Sequence, residues 1–246
     1  MLRTVKMFDY SIGASLHEKF VYAKPFPHVV IDNFISDISL LDKICLEFEQ
    51  PQAWGYDPVA GDNMANKLFI PWKEQDISSL PQHTKSFLQS MNTTQTLIFL
   101  RDLTGIKNLF GDPFFAGGGM HRIFNGGKLS VHEDFAKHPN NKKWYRRLNL
   151  LLYLNRGWDE KWGGSLQLFD KRTKKVVHDI MPIFNRAVIF DTTKDALHGH
   201  PHPLNTPQNI CRNSLALYYF TAEPPNDARS SLTAEWHQID INGNLT

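Results

Sequence analysis

The chain is poor in cysteine: Cys45 and Cys211 are the two among 246 residues. Two thiols build no disulfide framework, and reduced cysteines in a cytoplasmic setting are the expectation. Long apolar runs are missing too. The most apolar stretch, Leu148 to Leu154, is far too short to span a bilayer. Residues 1–13 contain no apolar segment suited to a signal peptide. Neither sign of charge dominates, since 27 Lys and Arg face 25 Asp and Glu for a net charge of +2. Bulk charge therefore gives no ground for a nucleic-acid or membrane partner. No internal repeat or low-complexity tract interrupts the chain, and no linker divides it, so a single domain over residues 1–246 is expected. What is plentiful is punctuation. Fourteen prolines and fifteen glycines suit many short strands and turns.

The pattern changes once along the chain. Pro27 to Asp32 reads as a strand. Leu40, Leu41, Ile44, Cys45 and Phe48 recur at helical spacing, which predicts a helix over about 37–49 with Ser36 as N-cap. Residues 51–66 are rich in Pro, Gly, Asp and Asn around Trp54 and Tyr56. They read as a long loop, either a functional lid or a surface excursion. Pro81 starts a second helix, and Thr93 or Thr94 caps a third that Gly105 stops. Helical spacing then gives way to short strands near 118–124, 128–134, 147–155, 165–170, 175–180, 186–191 and 213–221. Asn125-Gly126-Gly127 marks a tight turn between the first two of these. Helices followed by strands predict an α+β, mainly β, domain: a barrel or jelly roll with helices on one face. Helical support would occupy about 1–116, the core about 117–221 and a peripheral tail 222–246.

The chemistry centres on His132-Glu133-Asp134. On a strand, alternate side chains share a face, so His132 and Asp134 point one way and Glu133 the other. An imidazole and a carboxylate so placed, with one distant histidine, make the two-His-one-carboxylate set used for non-haem Fe(II). That histidine is sought in His198-Gly199-His200-Pro201-His202. His198 adjoins Gly199, which permits close backbone approach, whereas His200 and His202 precede proline and are expected in an outward-facing loop. Spacing alone leaves the choice open.

Two further strands carry chemistry. In 147–155, Leu148, Leu150, Leu152 and Leu154 share a face suited to packing on helices. Arg147, Asn149, Leu151, Tyr153 and Asn155 share the other, which lines a polar pocket if the sheet curls. In the last strand Arg212 and Ser214 share a face, followed by the small Ala216. That arrangement suits a carboxylate, as a bidentate guanidinium pair with a hydroxyl beside it; a solvated arginine at a strand entry explains it equally.

Together these pieces resemble a family. His132-x-Asp134, the run from His198 to Leu204 and Arg212-x-Ser214 are similar to the signature of the 2-oxoglutarate- and Fe(II)-dependent oxygenases. Arg146-Arg147-Leu148-Asn149, Tyr153-Leu154-Asn155 and Trp162-Gly163-Gly164 resemble its prolyl-4-hydroxylase-like branch, as do Phe184-Asn185-Arg186 and Leu215 to Tyr219. The likeness covers roughly 117–221. It implies a double-stranded β-helix, with His132, Asp134 and His198 as iron ligands. It implies that Arg212, assisted by Ser214 and Tyr153, holds the distal carboxylate of 2-oxoglutarate, with Asn149 as a further contact. The implied reaction consumes O2 and 2-oxoglutarate, with ascorbate as a supporting reductant. It hydroxylates an unactivated C–H and releases succinate and CO2.

Asp134 favours hydroxylation, since related halogenases lack this carboxylate. Tyr218 and Tyr219 stand where the nucleic-acid dealkylases of the superfamily carry a second arginine, so no nucleic-acid partner is expected. The run from Lys142 to Arg147 then reads as a solvated basic hairpin. A peptide side chain such as proline, or a small biosynthetic metabolite, is the expected substrate, with Trp54, Tyr56 and His121 as candidate contacts. Leu151, Val188 and Phe190 are the expected apolar wall near the metal. Two other readings remain: a catalytically silent jelly-roll binding protein, and a cupin-type metal dioxygenase that does not use 2-oxoglutarate.

Overall fold

In a computed structural model, the structure describes residues 7–50, 52, 54–56, 60–70, 77–193, 195–226 and 228–246. Part of the 51–66 loop thus lies outside the described residues. In chain order the elements are helices α1 (Ile12–Ser15) and α2 (His17–Val21), strand β1 (His28–Ile31), helix α3 (Ile38–Glu49), strand β2 (Lys67–Ile70), and helices α4 (Gln82–Ser90) and α5 (Thr94–Thr104). Strands follow: β3 (Phe110–Gly111), β4 (Gly119–Ile123), β5 (Leu129–Glu133), β6 (Lys137–His138), β7 (Asn141–Tyr153), β8 (Leu166–Asp170), β9 (Lys175–Ile180), β10 (Arg186–Asp191), β11 (His198–His200), β12 (Arg212–Thr221) and β13 (Glu235–His237).

Local chemistry sets the boundaries. Asp37, not Ser36, caps α3, accepting Leu40 N–H at 3.1 Å. Its carboxylate is the stronger acceptor at a helix N-terminus. Glu47 of α3 is buried and accepts the backbone N–H groups of His83 and Thr84 at 2.7 and 2.8 Å, which ties α3 to the start of α4. Gly105 ends α5 at φ 74°.

Two antiparallel sheets form the jelly roll. The major sheet runs β1-β10-β7-β12-β4-β2, with β3 against β12 and β6 against β7; the minor sheet runs β13-β5-β11-β8-β9. Strand parity divides the interior. Leu148, Leu150, Leu152, Leu215 and Leu217 face the helices and pack with Phe48, Phe87 and Phe99. Tyr153, Val188 and Phe190 point the other way and meet Leu166 and Leu168 of the minor sheet. The helices therefore buttress one face of the major sheet, and the site lies between the sheets.

The sheets also recruit segments outside the 117–221 core. β1 and β2 extend the major sheet at its two ends. β13 pairs with β5 and sets Trp236 opposite His132, so the tail is part of the site rather than peripheral. The basic run 142–147 lies inside β7, which begins earlier than its apolar pattern suggests. Lys142 and Lys143 are exposed there, but Arg146 is buried. Among the described residues no helix is long and apolar enough to cross a membrane.

Candidate active site

The turn Phe124–Gly127 joins β4 to β5 and delivers Leu129 to Glu133 as a short strand. His132 ends up opposite His198 in the β5–β11 register. Asp134 follows the strand on the same side. One ligand atom from each of His132, Asp134 and His198 lies within 4.8 Å of the others, and all three residues are buried. The imidazoles are oriented from behind. His132 Nδ1 meets Ser130 O at 2.9 Å and His198 Nδ1 meets Ala196 O at 2.8 Å. Each Nδ1 is thereby the donor, and each Nε2 is left as a lone pair facing the carboxylate. The Nε2 atoms stand 3.7 and 3.6 Å from the Asp134 oxygens. Burial and the neighbouring His132 lower His198 to about 4, so it is neutral at physiological pH. Burial disfavours ionisation of Asp134, but Arg146 and both histidines outweigh it and hold the carboxyl well below the usual range. Two imidazoles and one carboxylate are the donor set that Fe(II) takes, and these residues fit it.

Arg146 and Asn149 hold the carboxylate. Asn149 Nδ2 donates to Asp134 Oδ2 at 2.7 Å. Arg146 Nη2 lies 3.2 Å from Asp134 Oδ1 and also donates to Asn149 Oδ1 at 2.6 Å. The guanidinium is sandwiched, 3.5 Å from the Tyr218 ring centre and 4.2 Å from that of Phe135. Asn149 was expected against the cosubstrate. Both of its polar atoms are engaged here by Asp134 and Arg146 instead. Strand parity puts Arg147, not Arg146, with Asn149; the register shift between Leu148 and Arg146 in the β7–β12 pairing reverses that, so Arg146 escaped the sequence reading.

The second part of the site is built on β12. Arg212 is buried; its Nε donates to Gly164 O at 2.7 Å and Nη2 to the Tyr153 hydroxyl at 3.3 Å. Burial, with Arg212 beside it working the other way, raises the Tyr153 phenol and keeps it protonated. Ser214 lies directly opposite Tyr153 on β7 and opposite His121 on β4. Arg212, Ser214, His132 and His198 line one cavity of about 320 Å3.

The remaining candidates divide. His121 lines the cavity, with Nε2 3.0 Å from Gly117 O, and burial keeps it well below the ordinary histidine range. Trp54 and Tyr56 do not line it. Trp54 packs on Phe48, where the Arg122 guanidinium covers it, and Tyr56 is 63% exposed. Of the apolar wall, Leu151 lines the cavity and the Phe190 ring lies 4.6 Å from that of His198; Val188 packs behind. Trp236, which the sequence did not single out, has its ring 5.0 Å from His132. His200 reverses an expectation. It is not in an outward loop but on β11, 3% exposed and lining the cavity, because pairing with β5 turns it inward. His202 is exposed.

A profile of the 2OG-Fe(II) oxygenase superfamily matches residues 118–220, the segment that contributes all three clustered residues and Arg212. Residues 118–220 are thus similar to the core of the 2OG-Fe(II) oxygenases. The family's metal and cosubstrate are Fe(II) and 2-oxoglutarate, with O2 as oxidant. Prolyl hydroxylase EGLN3 of Mus musculus is 31% identical over 97 residues, which are 39% of this chain and 38% of the relative. Prolyl 3-hydroxylase OGFOD1 of Mus musculus is 24% identical over 208 residues, 80% of this chain and 33% of the relative. These matches span little more than a third of the curated relatives' lengths. Among solved structures, a prolyl hydroxylase from Trichoplax adhaerens, in complex with a hypoxia inducible factor oxygen degradation domain peptide fragment, superposes with a TM-score of 0.58. It is 18% identical and the match covers 84% of this chain and 88% of that one, which establishes a shared fold.

Proposed function

We propose that the chain is an Fe(II)- and 2-oxoglutarate-dependent hydroxylase acting on an unactivated C–H of a peptide side chain such as proline, or of a small metabolite. The observation that carries this reading is one cavity lined both by the His132–Asp134–His198 cluster and by Arg212, whose guanidinium donates to the Tyr153 hydroxyl. His132 and His198 would bind the metal through Nε2, and Asp134 through a carboxylate oxygen. Arg212 and Tyr153 would receive the distal carboxylate of 2-oxoglutarate, a charge-assisted contact in a dry site. Bound Fe(II) would couple decarboxylation of 2-oxoglutarate to succinate and CO2 with hydroxylation by O2.

The chain's own residues supply binding, orientation and exclusion of water. Arg146 and Asn149 fix the Asp134 carboxylate, and the Ser130 and Ala196 carbonyls fix the imidazole rings. Leu151 and Phe190 keep the surroundings apolar. The proline-hydroxylating relatives make a proline-containing peptide the first substrate to try.

The test is succinate formation on adding Fe(II), ascorbate and 2-oxoglutarate. The expected result is metal-dependent succinate release that a substrate accelerates. Failure to bind 2-oxoglutarate or to release succinate would favour a silent binding protein.

A further inference from the structure

Among the described residues that line the cavity, His200 is the one whose buried side-chain polar atoms lack a hydrogen-bond partner. Both ring nitrogens are buried without a hydrogen-bond partner, on a side chain that lines the cavity. A buried imidazole without a partner costs roughly 1–3 kcal/mol, so such a group persists where a ligand completes it. Its neighbours identify the ligand's chemistry. After burial, the charged groups that bear on His200 are Arg212, then Lys67, then His132. The imidazole thus shares the cavity with both the Arg212 anchor and the metal cluster. Leu129, opposite it on β5, lines the same cavity and offers no hydrogen bond.

Resting on the cosubstrate reading above, we propose that His200 donates a hydrogen bond to the distal carboxylate of 2-oxoglutarate and so sets the cavity's affinity for a dicarboxylate. A neutral imidazole carries one N–H, and a carboxylate already paired with Arg212 and Tyr153 has lone pairs left to accept it. His200 is therefore a positioning residue for the cosubstrate and not a metal ligand.

The experiment is calorimetric binding of two ligands to the Mn(II)-loaded full chain. 2-Oxoglutarate engages both the metal and the anchor. Oxalate presents the same chelating head without a distal carboxylate. His200→Val is expected to weaken 2-oxoglutarate about tenfold and oxalate less than about twofold, the loss of one hydrogen bond to a charged group. His200→Gln keeps an N–H donor and is expected within about threefold of the parent chain. In uncoupled turnover KM for 2-oxoglutarate should rise in His200→Val while kcat holds. Equal weakening of both ligands would mean a structural role, and unchanged 2-oxoglutarate binding would mean no contact; either result overturns the proposal. Should His200→Val not fold, His200→Gln binding 2-oxoglutarate about tenfold more weakly than the parent chain would overturn it too. If the parent chain bound oxalate but not 2-oxoglutarate, the cosubstrate reading itself would fall.

Discussion

Asn149 donates Nδ2–H to Asp134 Oδ2 across 2.7 Å, and the bond fixes the direction in which the carboxylate faces. Arg146 grips the other oxygen and Asn149 at once. A ligating carboxylate held this way is oriented before the metal arrives. Asn149→Ala is therefore expected to weaken Mn(II) binding about 10- to 100-fold, the usual cost of losing such a supporting contact. Titration of Mn(II) with the folded variant checks it, and an unchanged affinity would mean that Arg146 alone suffices.

Arg212 separates the 2-oxoglutarate reading from a metal dioxygenase that does without the cosubstrate. Arg212→Ala removes the only guanidinium paired with Tyr153 among the described contacts and should weaken 2-oxoglutarate by at least about 100-fold. Mn(II) affinity should change little, because Arg212 does not touch the cluster. Turnover that survives Arg212→Ala intact would favour the cupin-type reading.

Gly199 lies where β11 passes close to β5. A methyl group there would stand 2.8 Å from Ser130 O and 2.9 Å from Leu129 O, both backbone atoms. Gly199→Ala must push apart the two strands that carry His132 and His198. The expected cost is about 1–3 kcal/mol of stability, read by chemical denaturation, together with weaker metal binding.

Cys45 tests the packing of α3 against the major sheet. Burial raises its thiol from 9.0 to about 11, and its Sγ lies 3.8 Å from Leu154 O. A raised thiol pKa keeps the neutral form, so the thiolate at pH 8 should be about 100-fold scarcer than for an ordinary cysteine. Alkylation by iodoacetamide, followed at Cys45 by mass spectrometry, should stay slow at pH 8 and rise toward pH 11. An inflection near pH 9 would mean that the packing of α3 on the sheet does not shield it.

Much of this organisation was legible in the residues. The alternation in β7 separated Leu148, Leu150 and Leu152 from Asn149, Leu151 and Tyr153; the first set packs with the helices, Asn149 and Leu151 line the cavity, and Tyr153 packs with Val188 and Phe190. Parity likewise put His132 and Asp134 on one side. Residues acting through tertiary contacts were not legible. Trp236 lies in a polar tail whose strand forms only by pairing with β5. Arg146 was not legible because alternation puts Arg147 with Asn149, and the register shift between Leu148 and Arg146 reverses that. His200 precedes Pro201, which argued for a loop, yet extended backbone before proline is also what a short strand needs. Trp54 and Tyr56 were singled out by their loop's composition, which carries no information on which side of the sheet the loop packs.

The central claim is that one cavity brings a three-residue metal site and a carboxylate anchor together. A crystal structure of the chain with Mn(II) and 2-oxoglutarate tests it most directly. The account predicts metal on His132 Nε2, Asp134 and His198 Nε2, with the distal carboxylate against Arg212 and Tyr153. Metal held by His200 in place of His198, or a distal carboxylate away from Arg212, would contradict it.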